Sequence, residues 1–353
     1  MKIVHVITSL EIGGAQRLLA DLLPLQCKEN IVEVVVIKDL DSPFKKTLEL
    51  AGIKIVGLNC GYYNFLNAFK LIRFIKDADI VHVHLFTALY WAAVSSMFCR
   101  KVKLVYTEHS THNKRRDICF LRPLEILIYS RYKRIISISQ QTQDNLKRWL
   151  KVKDGDSRFV VVENGVVIDH FSSKKSNIDE NRLIMISRFA QMKDQETVIR
   201  AMINVDKKAH LYLVGDGPNR LHCENIAKEL NLLDRVHFLG ARSDIAELIS
   251  CSYIGIQSSL WEGFGLTAVE IMAAGKPVIA SNVEGLRQVV EGAGLLFDVR
   301  DYKMLALQIN ALLSNKEYYT QVAQKCMDRA LQYDILKMQK RYQDIYNIVC
   351  GLT

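Results

Sequence analysis

Short runs of β-branched and other apolar residues alternate with amphipathic segments along the whole chain, and this alternation restricts the fold more than any other feature. Runs such as Ile3–Ile7 and Leu183–Ser187 show little polar–apolar alternation, which is typical of parallel strands covered on both faces. Segments with helical periodicity, for example 15–27 and 140–150, separate them. The pattern predicts an α/β protein with doubly wound parallel sheets.

The strand–helix pattern occurs as two consecutive series. With 353 residues the chain exceeds the roughly 250–300 residues that one hydrophobic core serves. The turn at Asn164-Gly165 and the polar segment 172–177 mark the seam, so we predict a lobe at 1–165 and a lobe at 166–335. Two Rossmann-like lobes facing across a cleft would bind a ligand at the carboxyl ends of both sheets.

Composition and charge narrow the class of protein. Apolar residues make up 49% and charged residues 24%, which excludes a disordered chain, and the apolar stretches are too short to span a bilayer. The apolar run at the N-terminus is too short for a signal peptide, so we expect a cytoplasmic protein. Residues 1–170 hold 25 Lys and Arg against 17 Asp and Glu, whereas 171–353 hold 22 against 21. The first lobe is therefore expected to meet an anionic partner: nucleic acid, an anionic membrane or a phosphorylated substrate.

The most informative loop runs from Ser258 to Glu270. Gly263 and Gly265 let a ligand approach the backbone, and the following helix start points N–H groups at an anion. Glu262 lies in the loop and Glu270 is expected in the first helical turn, so both face one site. The alternative is that Thr267 and Glu270 form a capping box, which would explain Glu270 but not Glu262 with its glycines.

Two cations follow the first strand of the second series. Arg188 and Lys193 can hold a diphosphate, Arg by its fork and Lys as a point charge. The alternative is an ordinary solvated loop. We favour the diphosphate site because both residues belong to the same predicted edge as the glutamate loop.

Gly13-Gly14 follows the first strand and opens a helix, which is the phosphate-binding position of a doubly wound domain. The segment is not GxGxxG, and neither is 213–218, so an NAD-dependent oxidoreductase is disfavoured.

Histidines cluster at two predicted strand ends. His82 and His84 form an HxH string without a neighbouring carboxylate or thiol, so we expect packing and predict no metal site. The DxD strings at 39–41 and 77–79 are interpreted as surface acids. His109, at a carboxyl strand end, is a candidate functional residue.

These segments, in this order, resemble the GT-B glycosyltransferases of glycosyltransferase family 4 (group 1), retaining enzymes that use nucleotide-sugar donors. The motifs that carry the resemblance are Gly13-Gly14, Asp79–His84, Thr107-Glu108-His109, Glu163–Val166, Ser187-Arg188 with Lys193-Asp194, Val214–Pro218, His237–Gly240 and the E-x7-E loop from Glu262 to Glu270.

The resemblance implies roles for individual positions. Arg188 and Lys193 would hold the donor diphosphate and stabilise the leaving nucleotide, and Glu270 would bind the ribose. Glu262, with the backbone of 263–265, would bind hydroxyls of the donor sugar, and His109 would contact that sugar near its reacting carbon. The implied catalytic residues are Glu262, His109, Arg188 and Lys193. The implied donor-binding residues are Gly13, Gly14, Arg188, Lys193, Leu239, Gly240, Glu262, Gly263, Phe264, Gly265, Leu266 and Glu270.

The implied reaction is transfer of a hexose from a UDP- or GDP-sugar to an acceptor hydroxyl with retention at the anomeric carbon. The departing diphosphate accepts the proton of the acceptor, and neither a metal ion nor another cofactor is required. The final helix, about 336–353, would pack back on the first lobe. One departure is Glu284-Gly285-Leu286-Arg287-Gln288, where the family often has Gly-Gly-x-x-Glu, and it affects the donor contacts.

The basic first lobe suggests a membrane surface and a lipid-linked or cell-surface polysaccharide intermediate, as in lipopolysaccharide biosynthesis, as the acceptor. We expect a peripheral protein on the inner face of the plasma membrane; the alternative is a solvated helix face. The residues expected at the anionic membrane are Lys114, Arg115, Arg116, Arg122, Arg131, Lys133 and Arg134.

Two other classes of protein remain as alternatives. A nucleotide-sugar epimerase of the same fold would need catalytic acids without an acceptor surface, and the E-x7-E loop argues against it. A basic nucleic-acid-binding protein fits pI ≈ 9.0, but no recognition motif accompanies the basic cluster, and we expect no nucleic-acid partner.

Overall fold

The computed structural model describes residues 1–11, 13–99, 101–111, 113–153, 155–173 and 177–352. The chain divides into two compact units. The first contains residues 1–165 and 335–353, and the second contains residues 166–334.

The first unit is built on a seven-stranded parallel sheet with the strand order β3-β2-β1-β4-β5-β6-β7. The strands are β1 (Lys2–Ile7), β2 (Ile31–Val36), β3 (Lys54–Gly57), β4 (Ile80–His84), β5 (Lys103–Glu108), β6 (Tyr132–Ser137) and β7 (Phe159–Val161). The helices are α1 (Gly14–Gln26), α2 (Pro43–Leu50), α3 (Leu66–Ile75), α4 (Phe86–Ser96), α5 (Arg122–Ser130) and α6 (Gln140–Leu150), with a C-terminal helix at Ile335–Cys350.

Helices cover both faces of this sheet. Val4 and Val6 belong to the larger core cluster with Leu71 and Leu146, whereas Ile7 packs on the opposite face with Leu19. The non-alternating strand sequences predicted this double burial, and it is confirmed. Ser42 and Ser139 cap α2 and α6 by accepting hydrogen bonds from backbone N–H groups.

The second unit is built on a six-stranded parallel sheet with the order β10-β9-β8-β11-β12-β13. The strands are β8 (Arg182–Ile186), β9 (His210–Val214), β10 (Val236–Gly240), β11 (Ile254–Gln257), β12 (Val278–Ser281) and β13 (Leu295–Phe297). The helices are α7 (Ile168–Ser172), α8 (Gln195–Ala201), α9 (Arg220–Glu229), α10 (Ile245–Ser250), α11 (Leu266–Ala273), α12 (Glu284–Val290), α13 (Tyr302–Ser314) and α14 (Lys316–Ala330); the C-terminal helix is then α15.

Each sheet has one point where the strand order reverses. In the first unit it lies between β1 and β4, and in the second between β8 and β11. The connections on the two sides of such a point leave in opposite directions, which opens a crevice at the carboxyl ends of the strands. Both units are therefore Rossmann-like, as the sequence predicted.

The C-terminal helix α15 belongs to the first unit and begins at Ile335. Its residues Tyr342 and Tyr346 are fully buried against β4, β5 and α1. In the described part of the chain no helix is long and apolar enough to cross a membrane.

Candidate active site

Two loops meet at the reversal point of the second sheet. One follows β8 and carries Lys193, and the other follows β11 and carries Glu262. The backbone N–H of Leu260 donates to the carbonyl of Met192 over 2.8 Å. A backbone hydrogen bond thus ties the two loops together.

Asp194 adds a side-chain link between the same loops. Its carboxylate accepts hydrogen bonds from the hydroxyls of Thr197 (2.7 Å) and Ser258 (3.3 Å). Burial raises the pKa of Asp194 above its ordinary value. Asp194 also has a left-handed backbone, with φ of 44°, which is uncommon outside glycine. The role of Asp194 was missed by sequence reasoning, although the residue lies beside Lys193.

Lys193 and Glu262 form an ion pair. Their side chains are 22% and 19% exposed, and the second oxygen of Glu262 accepts a hydrogen bond from the N–H of Gly263 over 3.0 Å. Arg188 is exposed on the same loop as Lys193, and within the described ranges it has no ion pair. The site thus holds one neutralised cation and one exposed cation.

The start of α11 differs from the capping-box alternative. Gly265 is the N-cap, with φ of 89° and no side-chain cap, whereas Thr267 is already the second residue of the helix. The alternative is therefore wrong. Glu270 is the fifth residue of α11 and only 7% exposed, so it lies in the second turn and not in the first as we expected. The first backbone N–H groups of α11 have no acceptor within the helix, which makes this end suited to an anion.

Glycines allow the neighbouring loops to pack closely beside Arg188. A Cβ on Gly215 would lie 2.1 Å from the carbonyl oxygen of Ser187, and one on Gly217 would lie 2.3 Å from that of Phe189. Gly215 also donates its N–H to the carbonyl of Gly240 over 2.8 Å. Leu239 and Gly240, two of the predicted donor-binding residues, therefore lie next to the loop that carries Arg188.

Gly285, at the start of α12, packs closely against the backbone of the loop that carries Glu262. A Cβ at this position would lie 2.2 Å from the carbonyl oxygen of Glu262 and 2.7 Å from its carbonyl carbon. In the same helix, Arg287 donates to Asn282, and the carbonyl of Gln288 accepts from Tyr333 and Arg329. The departure from the family pattern at 284–288 therefore preserves the glycine that contacts Glu262.

In the first unit, Gly13 and Gly14 follow β1 at the reversal point. Gly13 is the extended N-cap of α1, and Gly14 is exposed, with nothing within 4 Å of the position of a Cβ. His109 follows β5 and is partly exposed. Burial lowers the pKa of His109 to about 4, so the ring is neutral at pH 7.

His109 is the end of a buried imidazole chain. Its Nε2 lies 3.1 Å from Nδ1 of His84, whose Nε2 lies 3.0 Å from Nδ1 of His5. Nε2 of His5 lies 2.9 Å from Oε1 of Gln26. Sequence reasoning predicted the burial of His84 but missed His5 and Gln26; the signal was His5, a polar residue in the otherwise apolar run from Ile3 to Ile7 and in register with His82.

His5, His82 and His84 are close enough together to ligate a metal ion. Every ring nitrogen of the three, however, already has a hydrogen-bond partner: Gln26, Tyr346, Thr107, His109 or one another. Burial lowers the pKa of all three rings, and no carboxylate contributes to the shifts. The arrangement therefore fits a hydrogen-bonded network of neutral rings.

The expected membrane role of Arg115 and Arg116 is wrong. Arg115 is ion-paired with Glu125, which is fully buried and also accepts from Tyr90 and Trp149. Arg116 is ion-paired with Glu108, and its side chain is only 9% exposed. Both cations neutralise internal carboxylates, which leaves neither available for a lipid.

The remaining basic residues divide into two groups. Arg131 and Lys133 are exposed, whereas Arg134 is half-buried and Arg122 stacks on Trp149 at 4.8 Å. The side chain of Lys114 lies outside the described residues. Large apolar side chains are exposed on and before α5, at Phe120, Leu124, Ile126 and Leu127.

Comparison with known proteins identifies two family models along the chain. Residues 12–170 match the model described as Glycosyltransferase Family 4, and residues 168–328 match that of Glycosyl transferases group 1. The two matches are consecutive, and together they contain the loops described above.

Two curated relatives from bacteria each match about half of this chain. The chain is 33% identical over 172 residues to the N-acetyl-alpha-D-glucosaminyl L-malate synthase of Bacillus anthracis. The matched segment covers 47% of this chain and 45% of the relative. It is 31% identical over 179 residues to the N,N'-diacetylbacillosaminyl-diphospho-undecaprenol alpha-1,3-N-acetylgalactosaminyltransferase of Campylobacter jejuni, covering 50% and 47%. The matched part spans about half the length of these relatives.

A solved structure is similar over almost the full length. Anabaena HepE, crystallised with UDP and glucose, has a TM-score of 0.86 at 22% identity and covers 98% of this chain and 99% of its own. At that identity the likeness shows the fold, which is the GT-B fold with its two Rossmann-like units. With the two consecutive family matches, the chain belongs to the group 1 glycosyltransferases of glycosyltransferase family 4.

Proposed function

We propose that this protein is a retaining glycosyltransferase that moves a hexose from a nucleotide sugar to the hydroxyl of a lipid-linked or cell-surface polysaccharide intermediate. The donor is a UDP- or GDP-sugar. UDP is the first candidate because the similar HepE was crystallised with UDP and glucose. The acceptor class is supported by the Campylobacter relative, whose name specifies a diphospho-undecaprenol substrate.

One observation carries the proposal: at the reversal point of the second sheet, Lys193 and Glu262 form an ion pair between two tied loops, and Arg188 is exposed on the same loop as Lys193. An exposed guanidinium and an ammonium suit a diphosphate. On donor binding, Lys193 would exchange part of its contact with Glu262 for phosphate oxygens. Glu262 would then accept hydrogen bonds from hydroxyls of the sugar.

Glu270 would bind the ribose hydroxyls, and the N-terminal N–H groups of α11 would face the phosphates. Leu239 and Gly240 would lie beside the base, because Gly240 accepts from Gly215 next to the Arg188 loop. Gly13 and Gly14 would allow close backbone approach to the donor, and His109 would contact its sugar.

In the reaction, the bond between the anomeric carbon and the diphosphate oxygen breaks, and a bond from the acceptor oxygen to the same carbon forms on the same face. The proton of the acceptor hydroxyl passes to the departing diphosphate. Arg188 and Lys193 stabilise the negative charge that develops on that group. These two cations perform the electrostatic task of a divalent ion, so transfer would proceed in EDTA.

The protein would act on the cytoplasmic face of the plasma membrane. The apolar side chains Phe120, Leu124 and Leu127 and the cations Arg131 and Lys133 are all exposed, and together they would form a surface that suits an anionic bilayer. This surface replaces the larger basic set inferred from the sequence, because Arg115 and Arg116 are engaged internally.

Transfer can be tested with radiolabelled UDP- and GDP-sugars and a bacterial extract of polyprenyl-diphosphate glycans, with and without EDTA. We expect one donor to label the lipid fraction and the product to keep the anomeric configuration of the donor, as read by NMR coupling. Glu262→Gln should reduce labelling about 100-fold, as expected for a misplaced donor, and exposed Glu229→Gln on α9 is the matched control. An inverted product, or no labelling with any donor, would refute the proposal.

Membrane association can be tested by co-sedimentation with vesicles. We expect binding to anionic vesicles that falls with salt and is lost in Arg131→Glu/Lys133→Glu. Equal binding to neutral vesicles, or an unchanged double variant, would contradict this part of the proposal.

A further inference from the structure

The imidazole chain of the first unit is continuous with α15. Beyond Gln26, the amide Nε2 lies 3.3 Å from the hydroxyl of Tyr346, and that hydroxyl lies 2.6 Å from Nδ1 of His82. Nε2 of His82 lies 2.7 Å from the hydroxyl of Thr107. Seven buried or partly buried groups thus form one hydrogen-bonded sequence from Thr107 to His109.

A neutral imidazole donates at one nitrogen and accepts at the other, so the direction of one bond fixes the direction of the next. The bond between Tyr346 and His82 sets the starting point. A phenol hydroxyl is a stronger hydrogen-bond donor than the N–H of a neutral imidazole, and an imidazole nitrogen is a stronger acceptor than a phenol oxygen, so in this short contact of 2.6 Å the tyrosine hydroxyl donates to His82.

The hydroxyl of Tyr346 has only one hydrogen, and it is committed to His82. Tyr346 can therefore only accept from Gln26, which turns the amide NH2 of Gln26 toward the tyrosine and its oxygen toward His5. His5 must then donate through Nε2 and accept through Nδ1. His84 in turn donates to His5 and accepts from His109.

We infer that this directed chain holds His109 as the tautomer protonated at Nε2, with the unprotonated Nδ1 turned outward as a hydrogen-bond acceptor for a substrate hydroxyl. Within the described residues no hydrogen bond to this Nδ1 is found. His84, His5, Gln26 and Tyr346 are positioning residues, because they act on substrate only through His109. The inference rests on the proposed function, in which His109 contacts the donor sugar.

The chemistry of this tautomer selects among substrate groups. A neutral ring that presents a lone pair attracts a sugar O–H and repels a phosphate or carboxylate oxygen. Burial lowers the pKa of both His109 and His5 to about 4, which keeps the rings uncharged at pH 7. His109 is thus suited to a hydroxyl and unsuited to the diphosphate.

Besides His5, His84 and His109, the ionisable members of the chain are His82 on β4 and Tyr346 on α15, and Tyr342 on α15 lies beside them. Burial raises the pKa of both tyrosines, so they stay protonated. Gln26 on α1 and Thr107 on β5 are neutral. Glu108, the next residue on β5, is ion-paired with Arg116. No charge within this set would switch the direction of the chain near neutral pH.

The test is nitrogen NMR of ligand-free protein labelled with ¹⁵N-histidine at pH 7, with His109 assigned by the loss of its signals in His109→Gln. We expect the Nδ1 of His109 to have the chemical shift of an unprotonated nitrogen and Nε2 that of a protonated one. Protonated Nδ1, or a charged ring at pH 7, would overturn the inference.

Two tyrosine variants test the source of the direction. Tyr346→Phe removes the hydroxyl that orients Gln26, so His109 should become a mixture of both tautomers. Tyr342→Phe is the matched control, since its hydroxyl contacts only Thr107 at 3.3 Å among the chain members, and it should leave the tautomer unchanged. An unaltered His109 in Tyr346→Phe would refute the role of α15; if that variant fails to fold, the wild-type spectrum decides. Because no ligand is present, failure of donor binding would refute only the proposed function.

Discussion

Gly285→Ala is the sharpest perturbation of the site that leaves its charged residues in place. The added Cβ would lie 2.2 Å from the carbonyl oxygen of Glu262 and 3.0 Å from the carbonyl carbon of Gly263. Ordinary contacts of this kind begin at 3.4 Å, and the obstructing atoms are backbone. The loop that carries Glu262 must therefore move by about 1 Å or the helix α12 must shift.

The expected loss can be estimated from that displacement. A misplacement of about 1 Å at a reacting centre reduces turnover about 100-fold, equivalent to about 2.7 kcal/mol. Overpacking of this kind also lowers the free energy of unfolding by about 1–3 kcal/mol. Because Glu262 would hold the sugar and Arg188 the diphosphate, the affinity for a UDP-sugar should fall more than the affinity for UDP.

Calorimetric titration of Gly285→Ala with UDP and with the preferred UDP-sugar measures the two affinities in the same protein. The control is Glu284→Ala, the exposed preceding residue of α12, which adds no atom against the loop. A Gly285→Ala protein with wild-type affinity for the UDP-sugar and wild-type stability would refute the reasoning.

Three further predictions follow from single contacts. Gly14→Ala should leave the free energy of unfolding unchanged or raise it by about 0.5–1 kcal/mol, because nothing lies within 4 Å of the new Cβ. The affinity of this variant for the UDP-sugar should fall, because the donor is proposed to approach the backbone at Gly14. An unchanged affinity would contradict that role. Arg115→Met should lower the free energy of urea unfolding by about 3–5 kcal/mol, because buried Glu125 loses its cation, whereas Arg131→Met should change it by less than about 0.5 kcal/mol. Acid should destabilise the fold, because burial lowers the pKa of His5 from 6.5 to about 4 in the folded protein. As the pH falls, His5 is protonated in the unfolded chain before it is protonated in the folded one. The free energy of unfolding that His5 contributes above pH 6.5 is therefore lost as the pH falls toward 4. Urea unfolding at pH 7 and pH 5 should show a drop about 2 kcal/mol smaller in His5→Asn than in wild type, and an equal drop would contradict this.

The periodicity of the sequence was sufficient for the fold, because buried parallel strands have apolar sequences that little else produces. The sequence contains thirteen strand-like runs, and all thirteen occur as strands. The largest shift is in β6: the run at Ile135–Ile138 predicts a start at Ile135, but the strand begins at Tyr132. A β-bulge opposite Leu104 and Val105 accompanies that earlier start. Local sequence contains no signal for such a partner-dependent extension.

Residues of the candidate site could be proposed from the sequence where a single segment carries them. Lys193 and Glu262 were identified from two loops, but their ion pair depends on strands that are distant in sequence becoming neighbours. The sequence indicated Gly285 only as part of the segment 284–288, which departs from the family pattern. Its contact with Glu262 could not be predicted, because that contact is set by the packing of α12.

For the basic residues of the first unit, the sequence predicted exposed charges where the structure has internal ion pairs. Net charge predicted an exposed surface, but Glu108 and Glu125 lie on a strand and a helix that return beneath Arg116 and Arg115. A count of charges along the chain does not reveal such internal pairing. The buried chain from His109 to Tyr346 escaped detection for the same reason, since its members come from five separate segments.

The most direct test of the central claim is the affinity of the protein for UDP and GDP, measured calorimetrically in EDTA for the wild type and two arginine variants. The loss of charge-assisted hydrogen bonds in Arg188→Ala should weaken nucleotide binding about 10- to 100-fold. Arg200→Ala, which removes the same side chain from a surface pair with Glu196 on α8, should change it less than about 2-fold. Equal affinities in the two variants, or no binding of either nucleotide by the wild type, would contradict a donor site at the reversal point of the second sheet.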